Sequence, residues 1–236
     1  MKIKFTYLLC LFSLVISAQK IIEKKLPYSG QFVELDVKFA QEIEVKTWEK
    51  NSVYIKATIE LAETQFMDKY DLSFDTTATQ IVIEEKAKDV FKALHEYARK
   101  YGDNRNRYWI NSAELCSLSY VLYVPKNAQF KVYSINGHMK AENIEGKFTA
   151  DLINGDIDIK KYSGDLDLTT VNGEIDVRIS NSSFTAQTVH GDIYADEQLD
   201  LIAYDRNVGQ KVKSNGSGFK NQLSLHTVNG NMYLRK

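Results

Sequence analysis

Apolar and polar positions between Lys131 and Ala195 follow a nine-residue beat set by glycine. Gly137, Gly146, Gly155, Gly164, Gly173 and Gly191 mark it, with Ser182 on the beat that lacks one. Two residues after each mark stand Met139, Phe148, Ile157, Leu166, Ile175, Phe184 and Ile193; four after stand Ala141, Ala150, Ile159, Leu168, Val177, Ala186 and Ala195. Two before stand Ile135, Ile144, Ile153, Tyr162, Val171 and Val189, with Ser180 the exception. Each nine-mer predicts a short strand with an apolar inner row, ended by a turn at the glycine. Asn-Gly pairs supply turn residues that accept positive φ at little cost.

Alternate beats are more alike than neighbours. INGHMKA, INGDIDI, VNGEIDV and VHGDIYA start eighteen residues apart, and a further copy, VNGNMYL, lies at Gly230. An antiparallel meander needs only the shorter period. The longer one predicts a β-solenoid with two strand-turn units per coil, like positions stacking about 4.8 Å apart. Asn136, Asn154 and Asn172 then form a ladder with His190 on the next rung, because amides at that spacing bond rung to rung.

The chain before the repeat alternates with period two: Val33, Leu35, Val37 and Phe39, then Ile43 and Val45, then Val53, Ile55, Ala57 and Ile59. Turn signals at Pro27–Gly30 and Glu49–Asn51 separate these half-buried strands, and Trp48 reads as a core or rim plug. Two more short strands, Tyr70–Phe74 and Gln80–Glu84, precede a change of period. Val90, Leu94, Tyr97 and Tyr101 fall at helical spacing, which predicts one amphipathic helix over Lys86–Tyr101, ended by Gly102. The segment Asp103–Asn111 is polar and basic, and Glu114–Val124 is an apolar strand. The N-terminal strands and the helix are expected to cap one open end of the solenoid. At the other end, Leu199, Leu201 and Ile202 fit strands, Gly209–Lys211 and Ser214–Gly218 read as loops, and LSLHTVNGNMYL is expected to form the terminal rung. The fold class is all-β, a β-solenoid with an N-terminal β region and one inserted helix.

The beginning of the chain has its own pattern. Lys2 and Lys4, an apolar run from Tyr7 to Ile16, and Ser17-Ala18 before Gln19 predict a secretory signal over residues 1–18. The run is short of the roughly 20 residues of a membrane span. Cys10 lies inside it with no small residue before it, which argues against a lipoprotein signal. The mature chain, residues 19–236, is expected to be a single domain without a transmembrane segment, periplasmic or secreted. It divides into irregular strands (19–130), regular repeats (131–195) and C-terminal strands and loops (196–236). Without Lys2 and Lys4, the 30 basic residues become 28 against 31 acidic, a formal charge of −3. That balance gives no basic footprint for nucleic acid or an anionic membrane. Cys116 is left without a partner for an intramolecular disulfide and reads as a small buried hydrophobe.

The text KVYSINGHM, ADLINGDIDI and LDLTTVNGEIDV, with KTWEKNSVYIKATIE and SYVLYVPKNAQFKVYSINGHM before it, resembles the putative-adhesin, β-strand-repeat domain of unknown function found in bacterial cell-envelope proteins. The resemblance implies an adhesin-like or structural envelope protein and carries over no catalytic residue.

Candidate chemistry is sparse. Asp156, Glu174 and Asp192 are expected to stack on one outer face beside Asp158 and Asp176. Like charges at that spacing repel by roughly 1 kcal/mol per solvated pair. The plain reading is a charged face that resists aggregation; calcium is the cation such oxygens would hold, and a glycan is a further ligand. A carbohydrate-active enzyme would use two of these carboxylates about 5–9.5 Å apart, but the short turns build no cleft. His95, His138, His190 and His226 do not converge, and no zinc spacing, nucleophile elbow or phosphate-binding loop occurs. No cofactor is expected. The best candidates for contact with an envelope or extracellular partner, protein or glycan, are Arg105, Arg107, Tyr108 and Trp109, residue types that dominate interaction hot spots.

Overall fold

The computed structural model describes residues 19–101 and 115–236. Its strands are β1 (Gln19–Pro27), β2 (Phe32–Asp36), β3 (Phe39–Trp48), β4 (Ser52–Leu61), β5 (Asp71–Thr76), β6 (Gln80–Lys86), β7 (Cys116–Pro125), β8 (Ala128–Ala141), β9 (Ile144–Asn154), β10 (Ile157–Ile159), β11 (Tyr162–Ser163), β12 (Leu166–Asn172), β13 (Ile175–Arg178), β14 (Ser182–His190), β15 (Ile193–Ala195), β16 (Leu201–Tyr204), β17 (Gln210–Ser214), β18 (Asn221–Asn229) and β19 (Met232–Arg235). One helix, α1 (Lys88–Tyr101), and a 3-10 turn over Thr64–Lys69 complete the described elements.

The fold is the expected β-solenoid. Each coil has two main sides meeting at a corner. On the first side the hydrogen-bonded order is β5–β6–β2–β8–β9–β12–β18–β14–β17–β16. On the second side it is β1–β4–β7–β3–β8–β10–β13–β19–β15, with β8 running through the corner to serve both. Within the coils all pairing is parallel. The antiparallel strands lie only at the two ends: β5, β4 and β1 at one, β17 and β16 at the other.

The inner face follows from the alternation. Phe130, Phe148, Leu166, Leu223 and Phe184 stack in register, as do Val132, Ala150, Leu168, Leu225 and Ala186. All are buried in one continuous core, and the Phe130 and Phe148 rings stack at 4.5 Å. Near the far end, the buried Tyr70 and Tyr120 hydroxyls meet at 2.7 Å, so neither is left unpaired.

Several sequence expectations are corrected here. At the Asn-Gly corners the inward residue is the one three before the glycine, not two before. Ser134, Leu152, Thr170, Thr227 and Thr188 are buried, whereas Ile135, Ile153, Val171 and Val189 are half-exposed on the outside. The corner reverses the alternation, since the next inward residue comes five positions on. At the intervening corners, Ile144 and Tyr162 do point inward. Two kinds of corner in alternation are the physical source of the eighteen-residue period. The buried hydroxyls are satisfied by the neighbouring coil: Thr170 donates to the Gly155 carbonyl at 2.9 Å, Thr227 to Gly173 and Thr188 to Gly230, both at 3.0 Å.

Gly137, Gly146, Gly164 and Gly191 do have positive φ, but Gly155, Gly173 and Gly230 are needed for another reason. Gly173 does not have a positive φ. A Cβ there would lie 2.0 Å from the Gly155 carbonyl oxygen, and one at Gly230 would lie 1.9 Å from that of Gly173. Stacked corners leave no room for a methyl group.

The largest correction concerns coil order. VNGNMYL is not the terminal rung: β18 and β19 insert between β12/β13 and β14/β15. The other end mirrors this. β2 and β3 do not merely cap the stack but form a coil that lies between β6/β7 and β8. Numbered by sequence, the coils stack as second, first, third, fourth, fifth, seventh, sixth. Gln210–Ser214, in part read as loop, is β17, which covers the outer edge of β14. The helix starts at Lys88 because Lys86 belongs to β6, and it links the two sides of the second coil; Val90 and Leu94 are its buried residues.

Candidate functional site

The corner asparagines build a continuous amide ladder. Asn154 donates to Asn136 at 3.0 Å, Asn172 to Asn154 at 2.8 Å, and Asn229 to Asn172 at 2.8 Å. Asn229 thus holds the rung assigned to His190, and His190 lies in register beyond it.

Beside that ladder runs the row containing the predicted carboxylates. The stacking order is His138, Asp156, Glu174, Asn231, Asp192, so Asp156 and Glu174 are neighbours but Asn231 separates Glu174 from Asp192. Each acceptor receives a hydrogen bond from the next coil: the Glu174 N–H donates to Asp156 Oδ1 at 2.8 Å, and the Asp192 N–H to Asn231 Oδ1 at 3.0 Å. Asn231 Nδ2 donates to Glu174 Oε1 at 3.1 Å, and His138 lies 3.0 Å from Asp156. The second row is Lys140, Asp158, Asp176, Tyr233, Tyr194. Lys160 holds Asp158 at 2.6 Å, and Arg235 grips Asp176 through Nε at 2.7 and 2.9 Å and Nη2 at 2.6 Å. The repulsion expected of an unbroken acidic ladder is therefore relieved within the chain. Among the described residues, no three His, Cys, Asp or Glu side chains gather into a group able to hold a metal. Arg105, Arg107, Tyr108 and Trp109 lie outside the described residues.

A feature missed in the sequence lies at the β14/β15 end. Tyr194 and Tyr233 stack with ring centroids 5.4 Å apart and planes 13° apart, and the Arg235 guanidinium lies 5.6 Å from the Tyr233 ring. Tyr194 is 52% exposed, and Ile202, Tyr204 and Val208 on the β16–β17 hairpin are 45%, 44% and 58% exposed. Large exposed side chains concentrated on one end of a stack are of the kind that protein interaction surfaces use. Tyr194 stands where other copies carry Lys140, Asp158 and Asp176, which was visible; its contact with Tyr233 depends on the inserted coil.

Two other groups are structural. Trp48 is a half-buried rim plug, donating to the Ser52 carbonyl at 2.7 Å and lying 4.9 Å from the Tyr123 ring. Cys116 is buried, and desolvation pushes its thiol up to about 12, away from nucleophilic use.

Comparison with known proteins bears on the fold. A putative cell adhesion protein from Clostridium sporogenes aligns with a TM-score of 0.57 at 13% identity, over 92% of this chain and 99% of its own. A putative adhesin from Bacteroides fragilis aligns at 9% identity over 92% of this chain and 98% of its own, with a TM-score of 0.28. None of the curated proteins matches. No helix among the described residues is long and apolar enough to cross a membrane. The family model Toastrack DUF4097 matches residues 125–235, which begin at the last residue of β7 and end at the last residue of β19. Over those residues the chain is similar to the Toastrack DUF4097 family.

Proposed function

We propose that this chain is an exported, non-enzymatic, adhesin-like protein of the cell envelope that presents a rigid β surface to a partner. The observation that carries the reading is the concentration of Tyr194, Ile202, Tyr204 and Val208 on the terminal coil and its hairpin. Parallel coils paired on both sides form a stiff support, and aromatic side chains on such a support bind with little loss of conformational freedom. The leader-like first eighteen residues support export, and the name of the Clostridium sporogenes protein agrees with an adhesive role. The ladder carboxylates favour structure over catalysis, because neighbouring cations and backbone N–H groups already engage them.

Crosslinking in the native cell, with mass-spectrometric identification, tests the reading. The expected result is a partner whose crosslinks cluster at residues 192–213 and vanish in Tyr194→Ser/Tyr204→Ser. Product release from a polysaccharide panel, abolished by Asp156→Asn or Asp158→Asn, would overturn it in favour of a carbohydrate-active enzyme. Export is read separately: the N-terminus of the mature protein should be Gln19.

A further inference from the structure

A cleft of about 570 Å³ opens where the start of α1 meets the turn between β2 and β3, far from the tyrosine end. That volume lies within the range of small-molecule sites. Phe39 and Phe91, in contact at 4.5 Å, give it an apolar wall. Lys38, Lys69 and Lys88 line it, are exposed, and make no ion pair among the described residues. Its remaining lysine, Lys86, is engaged by Glu84. The first turn of the fourteen-residue α1 borders the same space, and its open N–H groups carry partial positive charge.

Glu85 is the second, independent sign of a ligand. It lines the cleft yet is only 6% exposed. Oε2 accepts a hydrogen bond from the Phe39 N–H at 2.9 Å, whereas Oε1 has no partner. An orphan oxygen this deeply buried costs stability unless something pairs with it. Burial, the largest influence, pushes the carboxyl up to about 7, so near neutrality much of it carries a proton to donate. Asp89 and Glu84 also border the cleft; Lys86 neutralises Glu84, and the three lysines without an ion pair among the described residues, with the helix terminus, outweigh Asp89.

We infer that this cleft binds an amphipathic anion: an apolar chain lying against Phe39 and Phe91, with an anionic oxygen-bearing head held by Lys38, Lys69, Lys88 and the start of α1 beside Glu85. An alkyl ammonium fits poorly, because its head would meet the lysines. A bare anion lacks the part that the aromatic wall recognises.

Isothermal titration calorimetry on the protein with decanoate, decyl phosphate, decylammonium and acetate tests this. The expected result is saturable binding of decanoate or decyl phosphate at one per chain, the tighter of the two naming the head group, with neither decylammonium nor acetate binding. Lys69→Glu/Lys88→Glu, at two exposed positions, should weaken that binding roughly tenfold or more while leaving the melting temperature in place. Absence of binding by both ten-carbon anions, equal binding of decylammonium or acetate, or affinity unchanged in the double variant would each overturn the inference.

Discussion

Asn229 Nδ2 donates to Asn172 Oδ1 at 2.8 Å, joining residues 57 positions apart. That bond places the last coil of the chain in the interior of the stack. β18 pairs in register with β12 on one side and β14 on the other, so each of those strands depends on a segment remote in sequence.

Deleting residues 221–236 should therefore open the stack from within instead of fraying its end. Hydrogen exchange is expected to lose protection across 166–172 and 182–190 while 128–154 stays protected. Protection retained across 182–190 would contradict the observed coil order.

The corner glycines lead to a second expectation. In Gly173→Ala the new methyl would lie 2.0 Å from the Gly155 carbonyl oxygen, and this contact is with backbone, which cannot step aside locally. Overpacking of this kind costs about 3 kcal/mol, which lowers the melting temperature by roughly 6–12 °C. A variant that melts with the parent would mean that the stacked corners are looser than described.

Glu85 makes stability depend on pH. Burial raises its carboxyl from 4.5 to about 7 in the folded protein. The folded state thus holds the proton more tightly than the unfolded state. The associated stability is fully present below about pH 4.5 and is lost as pH rises through about 7, a change on the order of 3 kcal/mol. Glu85→Gln keeps an acceptor for the Phe39 N–H but cannot ionise. In urea unfolding it should be more stable than the parent at pH 8 and similar at pH 5. Parallel profiles from pH 5 to 8 would remove Glu85 as the source.

The ladder carboxylates lead to an expectation about metal. With Asp158 on Lys160 and Asp176 on Arg235, added calcium or a chelator should leave the melting temperature unchanged. A rise of several degrees with millimolar calcium, abolished in Asp156→Asn/Glu174→Gln, would instead establish a calcium-stabilised module. Asp176→Asn alone should cost less than about 1 kcal/mol, because the Arg235 pair is open to solvent.

Much of this architecture was legible because a period is a local property. Phe148, Leu166 and Phe184 declare their inward direction through their immediate neighbours, and the Asn-Gly pairs declare their corner. Which coil lies beside which is not local. By spacing His190, one period beyond Asn172, takes the next rung, and only the path of the chain through β16 and β17 gives that rung to Asn229 instead. The direction of Ile153 and Val171 was misread for a related reason: alternation can be counted along a strand, but not through a corner that reverses it. The acidic row holds for Asp156 beside Glu174 but not for Asp192 beside Glu174. Asn231 and Tyr233 enter the rows from a segment remote in sequence, which no local period announces. Glu85 gave no signal, as one more charged residue in an alternating strand.

The interior position of β18 and β19 locks both strands in place. An outermost strand can be peeled away one hydrogen bond at a time, whereas β18 and β19 are held along both edges. Tension applied to β19 must shear two ladders together. Synthesis runs against the same constraint: the sixth coil is complete before the seventh, on which it rests, exists. The stack can close only after β18 and β19 have emerged, so its assembly is not a coil-by-coil winding in sequence order.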